Sequence, residues 1–223
     1  MIFIHYRSPG GGYIIMKNKI SRFSCIIACI IVAVFVAEVA QGVARSPMDI
    51  MKEVVENVFH TLHTYPVGGP PENLAKRREE IKKIIDSHFD AREMSKRALG
   101  KYWKDISDEK QDEFTQLFYW RLYNFYIMRL EAYSDEKVVY DKELTKGNVA
   151  AVYTQVSSKR YPEFDIEYRL KQQGDDWKIY DVVIEGVSLV ANYRSQFNSF
   201  LSSKSFPELL KALHEKTPQD SLQ

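Results

Sequence analysis

Cysteine is nearly absent from this 223-residue chain. The two cysteines, Cys25 and Cys29, both lie in an apolar stretch near the N-terminus. Residues 45–223 therefore have no means of forming a disulfide, a thiol nucleophile or a cysteine-ligated metal site. If this part of the chain is secreted, its apolar core alone must hold it together, which suits a bacterial periplasm better than the extracellular medium.

The sequence also lacks the short motifs that mark common catalytic and nucleotide-binding sites. Residues 45–223 contain no nucleophile elbow, no phosphate-binding loop, no dinucleotide glycine pattern and no zinc-protease helix. His60 and His63 lie one turn apart, but no carboxylate motif accompanies them. We therefore predict no metal, no cofactor and no enzymatic activity.

Neither sign of charge is in excess. The chain has 31 basic and 30 acidic residues, and setting aside residues 1–44 leaves 27 basic and 29 acidic residues. This balance provides no basic field for nucleic acid, so no nucleic-acid partner is expected.

The first 44 residues have the composition of a secretory signal peptide. Met16 is followed by basic residues, then by an apolar run from Phe23 to Ala37, then by small residues that end at Ala44. That order matches the three regions of a cleavable signal, with Met16 as the true start. The alternative is an uncleaved membrane anchor, because the apolar run approaches the length that a bilayer needs.

Residues 46–133 are predicted to be helical. Ser46 and Pro47 mark a helix start, and apolar residues then recur every four positions up to Leu62, before the loop at 65–71. Further helices are predicted over residues 72–86, 89–103 and 107–133. The last of these is aromatic on nearly every side, so it is either buried all round or lines a cavity.

Four strands follow, over residues 137–144, 148–157, 163–173 and 177–185. Short turns separate them, and short connections favour an antiparallel meander. Beyond Gly186 a helix is predicted to fold back over the sheet, with Val190, Tyr193 and Phe197 on its inward face. A last helix over residues 207–216 leads to a polar tail.

We therefore predict an α+β fold: a twisted four-stranded antiparallel sheet, of the nuclear transport factor 2 type, flanked by about six to seven helices. The space between the sheet and the helices is then either a filled core or a hydrophobic pocket. Residues 45–203 should form one domain, and residues 204–223 a C-terminal helix and tail. The chain has 14 tyrosines, 12 phenylalanines and 3 tryptophans, and such large apolar side chains can surround a cavity as well as fill one.

Two segments carry a resemblance to a known family. The stretch Trp177–Val190, WKIYDVVIEGVSLV, continues with Asn192-Tyr193-Arg194 and Gln196-Phe197, and upstream the chain reads MSKRALGKYW over Met94–Trp103 and QDEF over Gln111–Phe114. Together they resemble the MlaC family of periplasmic phospholipid-binding proteins, also known as toluene-tolerance auxiliary proteins. Phe125 and Ile127 are bulkier than the residues that the family resemblance leads us to expect beside Tyr126. Bulky side chains there would narrow a tail-binding pocket and so change the number and length of the lipid tails that it holds.

The resemblance implies a hydrophobic pocket between the sheet and the helices, in a monomeric periplasmic carrier that binds phospholipid tails there and maintains outer-membrane lipid asymmetry. Its implied partners are an outer-membrane lipoprotein complex and an inner-membrane ABC transporter with an MCE-domain subunit. A related branch of the family serves hopanoid transport, so sterol-like lipids are an alternative cargo.

The inward phase of the helices and strands selects the residues expected to bind lipid. They are Phe118, Leu122, Phe125, Tyr126, Ile166, Tyr168, Leu170, Val183, Val190, Tyr193 and Phe197. The alternative from another class is a small-molecule enzyme that uses Asp181 with Tyr180, since Asp181 stands in an apolar strand. A salt bridge from Asp181 to Arg194 is the structural alternative for that carboxylate, and a completely filled core would indicate an interaction module.

Overall fold

The computed structural model describes residues 45–131, 137–158 and 162–215. The predicted signal peptide, the last two residues of the helix predicted over 107–133 and the polar tail lie outside the described residues. Within them the chain forms, in order, α1 Pro47–Thr64, α2 Pro71–His88, α3 Ala91–Leu99, a 3₁₀ helix Gly100–Asp105, α4 Asp108–Glu131, β1 Lys137–Lys146, β2 Val149–Ser157, β3 Phe164–Gln173, β4 Asp176–Ile184, β5 Val187–Ser188, α5 Leu189–Leu201 and α6 Phe206–Glu215.

The helix α1 begins where the sequence predicts it. The Ser46 hydroxyl accepts a hydrogen bond from the Asp49 N–H at 3.0 Å, and Pro47 occupies the first turn. The Glu143 carboxylate of β1 accepts a second bond from the Met48 N–H at 2.8 Å. One cap is thus local and the other comes from the sheet, which ties the start of α1 to β1.

The five strands form an antiparallel sheet in sequence order, β1-β2-β3-β4-β5. The α+β fold, the meander and the four long strands are confirmed, but the sheet has five strands and not four. The fifth strand follows a tight turn in which Glu185 and Gly186 both have positive φ, 49° and 76°. Two successive positive φ angles are typical of a type I′ hairpin turn. A strand of two residues carries too short an alternation to be recognised in the sequence.

Each outer long strand contains a β-bulge. In β1 the pairing with β2 skips Asp141, and in β4 the pairing with β3 skips Tyr180. A bulge inserts one residue, so each residue after it points to the face opposite to the one it would have in an unbroken strand. Residues Trp177 and Ile179 before the bulge therefore share a face with Val182 and Ile184 after it.

Three apolar clusters hold the elements together. The first packs α1 on the sheet, through Ile50, Met51 and Val54 against Ala150, Val152, Leu170, Trp177 and Ile179. The second is built by helices, from Met94, Ala98, Leu99, Trp103, Phe114, Leu117, Phe118, Val190, Phe197, Leu209, Leu210 and Leu213. The third is small and joins α1, α2 and α4 through Leu62, Ile81 and Ile127.

The helix α5 belongs to the second cluster, where it packs mainly against α3 and also contacts β4. Tyr193 packs edge-on against Phe118 with ring centroids 5.0 Å apart, and Phe197 lies 5.4 Å from the same ring. Arg194 Nε donates a 2.6 Å bond to the Arg97 carbonyl near the end of α3. The hairpin at 185–186 reverses the chain before α5 begins, which places α5 beside α3.

Asp181 joins β4 to the start of α5. Asp181 is 3% exposed, and its carboxylate accepts hydrogen bonds from Ser188 Oγ at 2.6 Å, from the Val190 N–H at 3.0 Å and from Arg169 Nη1 at 3.3 Å. The predicted salt bridge from Asp181 to Arg194 is wrong, because Arg169 on the paired strand β3 reaches the carboxylate instead. Three donors around one buried carboxylate indicate a structural role.

Replacing Asp181 with alanine should lower the free energy of unfolding by about 2–4 kcal/mol, because three donors lose their acceptor at a buried position. Urea unfolding of the two proteins measures the difference. Asp175→Ala is the control, since Asp175 is exposed in the turn before β4 and should change stability by about 0.5 kcal/mol or less. Equal stabilities of the two variants would contradict the role given to Asp181.

Candidate functional site

A cavity of about 520 Å³ lies between the sheet and helices α1, α2 and α4. This volume is within the range of roughly 300–1,000 Å³ that is usual for small-molecule sites. The helices contribute Met51, Val54, Val55, Val58, Phe59, Ile84, Ile85, Phe118, Tyr119, Leu122, Tyr123, Tyr126, Ile127, Arg129 and Leu130 to its wall. The sheet contributes Val138, Val156, Phe164, Ile166, Tyr168, Val182 and Ile184, and Phe89, Ala91, Met94, Ser95 and Leu189 complete the wall.

The register of the sheet explains which strand residues reach the cavity. Tyr168 is paired directly with Val182, and Ile166 with Ile184. Directly paired residues of antiparallel strands point to the same face. The bulge at Tyr180 therefore sends Val182 and Ile184 into the cavity and turns Val183 to the opposite face.

The wall is apolar apart from one serine, one arginine and four tyrosines. The hydroxyl groups of two of these tyrosines donate hydrogen bonds to acceptors on α2. Tyr119 donates to Asp86 Oδ1 at 2.6 Å, and Tyr123 donates to the Arg78 carbonyl at 3.0 Å. Each ring thus forms part of the wall while its hydroxyl is bound to α2. These bonds connect α2 and α4 and leave a surface suited to hydrocarbon.

The same burial changes the acidity of these tyrosines. Burial, strengthened by the hydrogen bond to Asp86, raises the pKa of Tyr119 well above its usual value. Burial also raises the pKa of Tyr123 to about 12, and the Arg78 charge opposes that shift. A buried phenol resists ionisation because the phenolate loses its hydration.

Five of the eleven residues predicted to bind lipid lie in the cavity wall: Phe118, Leu122, Tyr126, Ile166 and Tyr168. The other six lie elsewhere. Phe125 is 41% exposed, Leu170 is covered by α1 in the first cluster, and Val183 points to the opposite face of the sheet. Val190, Tyr193 and Phe197 pack in the helical cluster.

Sequence reasoning missed the contributions of α1 and α2. Val55, Val58 and Phe59 of α1 and Ile84 and Ile85 of α2 all line the cavity. Helical spacing predicts which face of each helix avoids water, but it does not show what lies opposite that face. Ile127, one of the two bulky residues beside Tyr126, also lines the cavity.

The residues of the alternative sites do not meet in this cavity. Asp181 is absent from its wall, and His60 and His63 are both exposed on α1. In the part of the chain that the structure describes, no cluster of three or more histidine, aspartate or glutamate side chains is arranged to hold a metal ion. No helix among the described residues has the length and apolarity to cross a bilayer.

The raised pKa of Tyr123 predicts a pH-dependent loss of stability. The unfolded chain ionises this phenol near pH 10 and the folded protein only near pH 12, so above pH 10 the unfolded state binds fewer protons. The contribution of Tyr123 is therefore complete below pH 10 and disappears as the pH rises to 12. Urea unfolding at about pH 9 and about pH 11 should show a smaller fall for Tyr123→Phe than for the unmodified protein. An identical fall in both proteins would contradict the prediction.

A family model described as MlaC protein matches residues 52–215. The toluene tolerance protein ttg2D of Pseudomonas putida is 25% identical over 121 residues, which cover 53% of this chain and 56% of that protein. The intermembrane phospholipid transport system binding protein MlaC of Haemophilus influenzae is 19% identical over 208 residues, which cover 90% of this chain and 95% of that protein.

A solved structure supports the same assignment at the level of the fold. The phospholipid-binding protein from Ralstonia solanacearum, determined in complex with a phospholipid, matches with a TM-score of 0.67 and 23% identity. The match covers 76% of this chain and 96% of that chain. Since the family model spans most of the sequence, including both segments that carry the resemblance, this chain belongs to the MlaC family.

Proposed function

We propose that this protein is a periplasmic lipid carrier that holds the acyl chains of a phospholipid in the cavity between α4 and the sheet. The single observation that carries the proposal is the cavity itself, about 520 Å³ with a nearly continuous apolar wall. The family and the names of its relatives support the cargo, since the Haemophilus influenzae relative is named for phospholipid transport and the Ralstonia solanacearum structure contains a phospholipid.

The energetics of tail burial fit a carrier. Burying one methylene gains roughly 0.8 kcal/mol, so a tail of about 16 carbons gains about 12 kcal/mol on leaving water. Spontaneous loss of lipid to water is then negligible. Exchange with a bilayer is nearly balanced, because the tail is dry at both ends of the transfer, so the direction of transport must come from the partners.

The proposed partners are an outer-membrane lipoprotein complex and an inner-membrane ABC transporter with an MCE-domain subunit. A carrier between these complexes acts in the periplasm as a monomer, after removal of the signal peptide predicted over residues 1–44. This placement makes the protein part of the system that maintains outer-membrane lipid asymmetry. An enzyme based on Asp181 is not favoured, because that carboxylate lies outside the cavity and is occupied by three donors.

Filling the cavity should remove the lipid and leave the fold intact. Ile166 lines the cavity but belongs to none of the three apolar clusters, so Ile166→Trp should lower the lipid that co-purifies by about tenfold, equivalent to about 1.4 kcal/mol. Native mass spectrometry of the purified protein measures the bound lipid. Val139→Trp, at a position of β1 that is 57% exposed, should retain it. A folded Ile166→Trp protein with unchanged lipid would contradict the carrier proposal.

A charge at Leu170 should unfold the protein, in contrast to the effect of filling the cavity. Leu170 is 0% exposed in the cluster between α1 and the sheet. An unpaired carboxylate there costs several kcal/mol, which is comparable to the whole stability of a domain. Circular dichroism of Leu170→Glu should show loss of the cooperative transition, while Val139→Glu keeps it. Selective loss of lipid from a stable Leu170→Glu protein would place Leu170 in the cavity wall.

A further inference from the structure

Arg129 differs from every other residue of the cavity wall. Among the described residues that line the cavity, it is the single charged side chain and the single exposed one. Because Arg129 both borders the cavity and is exposed to solvent, we take its position to mark an opening of the cavity. The opening therefore carries one positive charge at the edge of an otherwise uncharged wall.

Two aromatic rings position the guanidinium group. Its central carbon lies 4.3 Å from the ring centroid of Phe125, one turn earlier on α4, and 5.7 Å from that of Tyr126. A cation above an aromatic face is attracted by the ring quadrupole. Phe125, which does not line the cavity, thus has a separate role in holding the charged group beside the opening.

No acidic side chain in the part of the chain that the structure describes neutralises the charge of Arg129. No carboxylate of the described residues forms a salt bridge with it. Glu131, the nearest acid on α4, instead accepts two bonds from Arg78, at 2.7 and 3.0 Å. The planar array of guanidinium N–H donors is therefore free to bind an acceptor from outside these residues.

We propose that Arg129 binds the phosphate group of the lipid whose tails occupy the cavity, and so selects phosphate-bearing lipids over neutral ones. An amphiphile whose chains enter an apolar cavity leaves its polar group at the opening, where the guanidinium lies. Guanidinium and phosphate match in charge and in geometry, since two parallel N–H donors meet two oxygens. The inference rests on the proposed function, and it distinguishes phospholipid from sterol-like or other uncharged cargo.

The test compares two lipids that share their tails. The protein obtained by expressing the full chain is incubated with vesicles that contain dioleoylphosphatidylglycerol and dioleoylglycerol in equal amounts, and native mass spectrometry gives the ratio of the two bound lipids. Arg129→Gln should lower the ratio of phospholipid to diacylglycerol by about threefold to tenfold, as expected for one partly exposed charged contact. Arg129→Lys should give an intermediate ratio, because an ammonium group lacks the paired donors.

Arg121→Gln is the matched control. Arg121 lies on the same helix but outside the cavity wall, so its removal changes the net charge equally and should leave the ratio unchanged. An unchanged ratio in Arg129→Gln, or an equal fall in Arg121→Gln, would overturn the inference. Inorganic phosphate is the third probe, and its tight binding to lipid-free protein, lost in Arg129→Gln, would assign the site to free phosphate instead.

The outcomes separate this inference from the proposed function. If the unmodified protein takes up neither lipid, the carrier proposal fails and the inference fails with it. If the unmodified protein and Arg129→Gln take up both lipids in the same ratio, the cavity is a lipid site and only the role of Arg129 is wrong.

Discussion

The cavity depends on how α4 is fixed at two separated points along its length. Near its start, Phe114 and Phe118 are packed into the helical cluster, and near its end Ile127 is packed against α1 and α2. Close-packed clusters behave as rigid supports, because their side chains have no room to shift. The segment between the supports, with Leu122 and Tyr126, is thereby held across from the sheet instead of collapsing onto it. An aromatic helix can then line a void without losing its place in the fold.

Much of this architecture is predictable from local patterns. The cap at Ser46, the strand alternation and the short turns predict most element boundaries to within a few residues, because each signal involves neighbours in sequence. What is not local was missed. Strict alternation along β4 would place Val183 on the same face as Ile179. The bulge at Tyr180 shifts the phase by one residue, so Val182 lies on that face instead. A bulge is visible only in the pairing of β4 with β3, and the sequence of β4 alone does not show that pairing.

The cavity wall was predictable only in part, for a different reason. Hydrophobic periodicity reports that a side chain avoids water, and a core and a dry cavity satisfy that condition equally well. Leu170 and Tyr168 have the same phase on β3, yet α1 covers the first and the cavity borders the second. Only the position of α1 along the strand decides between them. Phe197 is likewise as apolar as any wall residue but meets Phe114 and Phe118 across a helix interface.

The polar interactions around the cavity share one arrangement, which bears on the proposed binding of lipid. Arg77, 2% exposed, donates to the Tyr65 carbonyl at the end of α1 and to the Glu131 carbonyl at the end of α4. Together with the hydroxyl bonds of Tyr119 and Tyr123, it fixes α4 to α1 and α2 from outside the wall. Directional bonds thus set the spacing of the helices, while the wall presents hydrocarbon, which has no directional preference. In the proposed carrier, such a wall would tolerate tails of different length and unsaturation. We therefore expect chemical selectivity to arise at the opening, where a charged group can be placed without disturbing the apolar interior.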